Sequence, residues 1–242
     1  MKSVFKRKNP IRQVLRSFGV DVSRYPDQSL ERPRVQLLEH YGVDLVLDIG
    51  AARGEYVTRL REFGYSGRAF SFEPLPEPFA VLSQRSHLDP HWRAFNAAVG
   101  SSEGLVTMNV SENSDSSSVL PILKEHEASA PRSRVVGSIT IDQLTVDGLL
   151  IGEPNVTSFL KLDVQGYEQA VLRGAESSLH RVAGVEVEMS LVPLYEGQIL
   201  YQDMTNYLES WGFKLHRIAP GFSDPVTGKM LQMDAMFFKT RL

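Results

Sequence analysis

The sequence predicts a doubly wound α/β domain, with a mostly parallel seven-stranded sheet and an antiparallel C-terminal edge. Three observations predict it. Leu45, Val46, Leu47 and Ile49 form an apolar run with no solvated face, and a small-residue turn from Gly50 to Gly54 follows. An amphipathic stretch then carries Tyr56, Val57, Leu60 and Phe63. The same strand-then-helix order returns along the chain, and two strands, Phe213 to Ile218 and Ala235 to Lys239, close it.

The leader comes first. Residues 1–34 hold nine Lys or Arg against three acids, whereas the remainder holds seventeen against twenty-six. Ile11, Val14, Leu15 and Phe18 lie at helical spacing between the basic residues. Such a helix could rest on an anionic membrane face or pack on protein, with a solvated basic side. Residues 25–33 read as a linker and Val35 to Tyr41 as a short helix, so a leader (1–34) and a catalytic domain (35–242) are expected.

After the first strand, Arg68 to Glu73 makes a second, ending in an acid before Pro74. Pro78 suits the first turn of a helix running to Ser86. Trp92 to Gly100 reads as a third strand with Asn96 near its carboxyl end, where a side-chain amide binds a ligand or closes a turn. Leu105 to Val110 alternates as an edge strand, and the serine-rich run from Ser111 reads as a disordered insertion or an active-site lid, with Ser117 a pocket candidate. Ile139 to Leu144 is a short strand before a helix that Asp142 would cap. Phe159, Leu160, Leu162 and Val164 mark another buried strand, which puts Lys161 and Asp163 on one pleat face. The stretch from Tyr167 to His180 reads as an amphipathic helix, and Glu186 and Glu188 share a face of the next strand. Residues 190–201, with Tyr195 and Tyr201, read as an aromatic loop over the sheet's carboxyl edge, able to touch a sugar.

Composition narrows the chemistry. The 42% hydrophobic and 23% charged content suits a soluble domain with a full core. There is no cysteine, hence no disulfide, thiolate metal site or cysteine nucleophile. No apolar run reaches the roughly 18 residues of a membrane span, and the amino terminus lacks a secretory core. The expected compartment is the cytoplasm, with peripheral membrane contact through the leader. The acidic balance beyond residue 34 argues against a nucleic-acid partner.

A glycine turn between a buried strand and a helix makes a ligand site at the carboxyl end of a parallel sheet. The turn reads Gly-x-x-x-Gly, which is neither the dinucleotide fingerprint nor a P-loop. Glu73, about 20 residues on, is placed to accept hydrogen bonds from a ribose diol. A ligand with adenosine and ribose but no pyrophosphate fits, and S-adenosylmethionine is one. Lys161, Asp163 and Glu188 at neighbouring strand ends exceed what a core needs, although a structural ion pair would also account for the first two.

These residues carry a resemblance. The chain resembles the FkbM-type S-adenosylmethionine-dependent methyltransferases over residues 43–240, through Asp48 to Gly54, Phe72 to Pro74, Asn96 to Gly100, Ser116 to Leu120, Thr140 to Asp142, Leu160 to Glu168, Gly174-Ala175 and Glu186 to Glu188. It departs from the family's usual pattern twice. Ala52 stands where Asn is usual, and Gln165 where Glu is usual. The resemblance implies a Rossmann-like class I methyltransferase sheet and methylation of a hydroxyl on a sugar, glycolipid or polyketide-type acceptor. It implies a cofactor-binding set of Asp48, Gly50, Ala51, Gly54, Glu73, Pro74, Asn96 and Ser117. Asp163, helped by Lys161 or Glu188, would orient or deprotonate the acceptor, with His216 a reserve base. The six histidines show no paired ligand spacing. An oxygen-rich site of Asp163, Glu188 and Asp234 would suit Mg²⁺, but no metal is expected. A non-catalytic nucleoside-binding scaffold, or a methyltransferase of another small-molecule or RNA acceptor, remains the competing class.

Overall fold

The computed structural model describes residues 31–239; the proposed leader helix lies outside them. The first described element is a helix, Glu31–His40, which begins earlier than the sequence suggested and takes in Pro33 and Arg34. Arg34 reaches across to the buried Glu186, donating from Nε (2.9 Å) and Nη2 (2.6 Å), so this end of the expected leader packs as part of the domain.

Ten strands follow: β1 (Leu45–Ile49), β2 (Arg68–Phe72), β3 (Trp92–Phe95), β4 (Ala98–Val99), β5 (Gly104–Ser111), β6 (Val135–Leu144), β7 (Ser158–Leu162), β8 (Val182–Ser190), β9 (Phe213–Pro220) and β10 (Gln232–Lys239). Seven of them form the main sheet, in the order β3-β2-β1-β7-β8-β10-β9. β3, β2, β1, β7 and β8 pair in parallel, and β10 runs antiparallel to both β8 and β9. The order reverses beside β1, because the chain winds out to β3 and returns to β7 on the other side. That reversal opens a crevice beyond the carboxyl ends of β1 and β7, the place where doubly wound sheets bind ligands.

Both faces are covered. Leu45, Leu47 and Ile49 face one layer, where Val146, Leu150, Leu172, Met204 and Leu208 pack from three helices. Val46 faces the other with Val35, Leu38 and Leu60, from the helices Glu31–His40 and Glu55–Glu62. With both faces buried, β1 and β7 are sealed along their whole lengths.

Several local expectations change. The third strand stops at Phe95, and Ala98–Val99 crosses to a second, three-stranded sheet with β5 and β6. β6 runs ten residues, through Asp142; the cap of the next helix is Thr145, whose Oγ1 accepts from the Gly148 N–H. The expected helix over 167–180 is broken into the short helix Glu168–Arg173 and a 3-10 turn, Leu179–Arg181, because Gly174 sits against the Gly100 carbonyl and the chain turns there. The serine-rich run is ordered rather than disordered: Ser116, Ser117 and Ser118 are buried.

Candidate active site

A cavity of about 350 Å³ opens at the predicted crevice. Its apolar walls include Phe72, Leu75, Val99, Met108 and Val119, and its polar ones Glu73, Ser117, Asp163, Gln165 and Glu188.

The turn after β1 forms one rim. The Gly50 and Ala51 N–H groups both donate to the Phe72 carbonyl at 3.0 Å, which ties the turn to β2. Gly50 has φ +82°, and a Cβ on it would lie 1.8 Å from the Asp163 carbonyl oxygen. Only glycine lets the two strand-end loops meet this closely. Glu73 is buried, and its two oxygens accept from the Ala52 N–H (2.9 Å) and the Leu75 N–H (2.8 Å). Each oxygen keeps a second lone-pair direction for a ligand hydroxyl. Burial pushes the carboxyl up to about 7, against the pull of these two N–H groups.

The other rim comes from the loop after β7. Asp163 Oδ2 lies 3.4 Å from the Lys161 ammonium, whose other neighbour is Asp234 Oδ1 at 3.5 Å. Burial opposes the Lys161 charge, but Asp163 and Asp234 outweigh it and hold the ammonium well above the ordinary lysine range. The ammonium thus occupies the position between the carboxylates that a cation would take. Among the described residues, no group of three acids or histidines is arranged to hold a metal.

Six sequence-derived candidates do not wall the cavity. The Asp48 side chain lies on the face of β1 that packs on protein, where the Ser71 hydroxyl donates to it at 2.9 Å. Ala51 packs among Val57, Leu82 and Trp92. Gly54 starts the helix Glu55–Glu62 against the Trp92 ring. Asn96 spends its amide on the carbonyls of Glu73 (2.9 Å) and Pro74 (3.0 Å), so it braces the loop from behind. Lys161 is buried beneath Asp163. His216 sits on β9, where its Nε2 meets the Tyr41 hydroxyl at 2.7 Å, and it cannot serve as a base here. Gly50, Glu73, Pro74, Ser117, Asp163 and Glu188 do come together at the cavity.

The aromatic loop is a further correction. Tyr195 is fully buried and faces inward, donating to Gln165 Oε1 at 2.7 Å and lying 3.0 Å from the Ser116 carbonyl. Sequence reasoning gave no site role to Tyr167 and Met108, which line the cavity. Nor did it assign one to Glu168. That buried carboxylate accepts from the N–H groups of Val164 and Gly166, both at 3.1 Å, and so fixes the loop carrying Asp163. The signal available was an acid six residues after a strand end, which resembles an ordinary first-turn helix acid.

Burial raises the Glu168 carboxyl from 4.5 to about 7. A raised folded-state value favours the native state below about pH 4.5, and that contribution is lost as pH rises through 7. Glu168→Gln keeps an oxygen that can accept both N–H bonds, so urea melts of this variant are expected to show a flatter loss of stability between pH 4.5 and 7 than the parent shows.

The sequence of residues 48–215 matches the model of the methyltransferase FkbM domain. The chain belongs to the FkbM methyltransferase family. It is 28% identical over 213 residues to 2-O-methyltransferase NoeI of Sinorhizobium fredii (strain NBRC 101917 / NGR234), covering 83% of this chain and 86% of that protein. It also shares its fold with the crystal structure of methyltransferase FkbM from Methylobacillus flagellatus KT, at a TM-score of 0.50 and 15% identity. That likeness covers 80% of this chain and 43% of the other, so the chain spans less than half of that protein's length.

Membership makes this FkbM chain a methyltransferase and implies S-adenosylmethionine as its cofactor. The residues present fit that molecule. Gly50 leaves backbone bare where a Cβ would block the rim, Glu73 offers lone pairs suited to a ribose diol, and the apolar wall suits a flat base.

Proposed function

We propose that this chain is an S-adenosylmethionine-dependent O-methyltransferase acting on a hydroxyl of a sugar, glycolipid or polyketide-type acceptor. The observation that carries the reading is one cavity lined by both the pinned Glu73 carboxylate and the acids Asp163 and Glu188. The printed name of the NoeI relative, a 2-O-methyltransferase, supports a hydroxyl acceptor.

When bound, the cofactor supplies a methyl group on a sulfonium; the acceptor oxygen gains the C–O bond, and the pair of the breaking C–S bond stays on sulfur. The chain's task is then to align the acceptor, keep water out and take up the proton that the hydroxyl loses. Glu73 and the Gly50 turn hold the donor side. Asp163 and Glu188 face the acceptor side. The serine insertion lends Ser114, Ser117 and Val119 to the cavity wall, a placement suited to keeping water from the reacting atoms. The acidic balance of residues 35–242 supports an acceptor other than nucleic acid. The basic leader would suit an acceptor held at an anionic lipid surface.

A methyl-label transfer screen across glycolipids in anionic vesicles, free sugars, polyketides and RNA tests this. Label on a hydroxyl of a sugar, glycolipid or polyketide is the expected result. Label on RNA alone, or only on nitrogen, would overturn it.

A further inference from the structure

Gln165 is held in an uncommon conformation. Its φ is +53°, in the left-handed region that a residue with a Cβ occupies at a cost. Two contacts hold it there. The Ser118 hydroxyl donates to its backbone carbonyl at 2.7 Å, and the Tyr195 hydroxyl donates to its Oε1 at 2.7 Å. Next to it, Gly166 is in the same region at φ +94°, where a Cβ would press on the Tyr195 ring. The phenol fixes which way the amide faces. With Oε1 taken by a donor, Nε2 turns to the two acids, reaching Asp163 Oδ1 at 2.9 Å and Glu188 Oε2 at 2.8 Å. One amide NH₂ has two protons, and each acid receives one.

The two acids are left in different states. Asp163 has Gln165 on one oxygen and the Lys161 ammonium on the other, so both are engaged and one is bound to a cation. Glu188 takes Gln165 and the Gln232 amide (2.6 Å) on the same oxygen, Oε2. None of the hydrogen bonds among the described residues engages its Oε1, and Glu188 lines the cavity. An ion-paired carboxylate is a weak base. A carboxylate whose donors are neutral amides on one oxygen, with the other open, is a better one.

We propose that Glu188 Oε1 is the general base of the transfer and that Gln165 is the positioning residue that separates the two acids' roles, leaving Asp163 to orient the acceptor. This rests on the methyltransferase reading. The acceptor hydroxyl hydrogen-bonds to Asp163 or Glu188; as its oxygen takes the methyl group, its proton passes to Glu188 Oε1 and from there to solvent. The charges facing Glu188 support this. Burial raises its carboxyl well above the ordinary range, helped by Asp163 on the β7 loop, Asp234 opposite on β10 and Glu168 on the following helix, while Lys161 on β7 pulls the other way. Tyr195, the phenol packed nearby, stays protonated, because burial and Glu188 itself push its hydroxyl up.

The clamp also links the serine insertion to the base. Ser116 and Ser118 belong to the insertion, and both bear on Gln165, the first through Tyr195 and the second directly. A glutamate at position 165 would put a third carboxylate between two others. This chain avoids that with an amide.

The test uses the full-length protein with carboxyl-labelled Asp and Glu, and follows each carboxyl by carbon NMR against pH without acceptor. Glu188→Gln and Asp163→Asn assign the two signals. Cofactor affinity by calorimetry and the melting temperature show that each variant is folded. The expected result is that Glu188 titrates well above the ordinary carboxylate range, and that Gln165→Glu moves the Glu188 titration further up. With an acceptor from the screen, Glu188→Gln should lower kcat by roughly 10²- to 10⁴-fold at little change in cofactor affinity. Asp163→Asn should act mainly on the acceptor KM. Failure of every acceptor would count against the methyltransferase reading, and the Glu188 titration would still decide the clamp. A Glu188 signal that titrates in the ordinary carboxylate range would overturn the assignment, as would a folded Glu188→Gln enzyme with kcat within about threefold of the parent.

Discussion

Glu73→Ala is expected to weaken S-adenosylmethionine binding by roughly 30- to 1,000-fold in calorimetric titration, the equivalent of about 2–4 kcal/mol. Hydrogen bonds to a charged acceptor are among the stronger ones in proteins, and a ribose diol presents two hydroxyls to one carboxylate. The variant also loses what ties the rim together. The N–H groups of Ala52 and Leu75 both point at it, and in the alanine protein these two donors lose their acceptor at the cavity rim. Part of the loss is therefore loosening of the rim, and Glu73→Gln separates the two. Glutamine keeps an oxygen for one N–H but presents an amide to the other, so it should fall between parent and alanine. Affinity should also climb with pH through about 7, because the burial-raised carboxyl must ionise before it can accept from both hydroxyls. An alanine variant that binds as tightly as the parent would remove Glu73 from the cofactor site.

The reach of sequence reasoning depended on the kind of signal. β1 and β7 are buried along their whole lengths, and their apolar residues alone locate them, although β7 ends at Leu162, short of the Val164 that the sequence included. Glu73 and Asp163 could be placed at the crevice because strand ends and glycine turns locate them along the chain. Asp48 shows the limit. Its position in the turn motif suggested ligand contact, yet alternation along β1 sends its side chain to the face that carries Val46, not to the cavity. Asn96 was likewise at the right strand end, but its amide answers two backbone carbonyls. His216 shows a different failure. No local pattern tells which edge of the sheet a late strand occupies, and β9 lies four strands from β1. Gln165 and Tyr195 were unreadable for a third reason. Their roles arise from contacts between the β7 loop and segments 30 to 50 residues away, and from backbone angles that no composition encodes. The serine run illustrates this too, since its polarity suggested disorder, whereas its hydroxyls and carbonyls are used internally.

Gly50→Ala should be the most damaging of the small substitutions, costing more than about 3 kcal/mol in urea unfolding and abolishing cofactor binding. Two separate costs add. Alanine at φ +82° pays for the left-handed region, about 1–2 kcal/mol. Its Cβ must also find room where the Asp163 carbonyl oxygen is 1.8 Å away, and the obstacle is backbone, not a side chain that can swing aside. Either β1 or the β7 loop must move, and the β7 loop carries Asp163 and the Gln165 amide. Gly64→Ala separates the costs. Gly64 has φ +100° and nothing within 4 Å of a Cβ, so its variant pays for the backbone angle alone, about 1–2 kcal/mol, with cofactor binding intact. The difference between the two variants measures the close approach of the two loops. If Gly50→Ala cost no more than Gly64→Ala and still bound cofactor, the contact between the β1 turn and the Asp163 loop would not be what shapes the cavity.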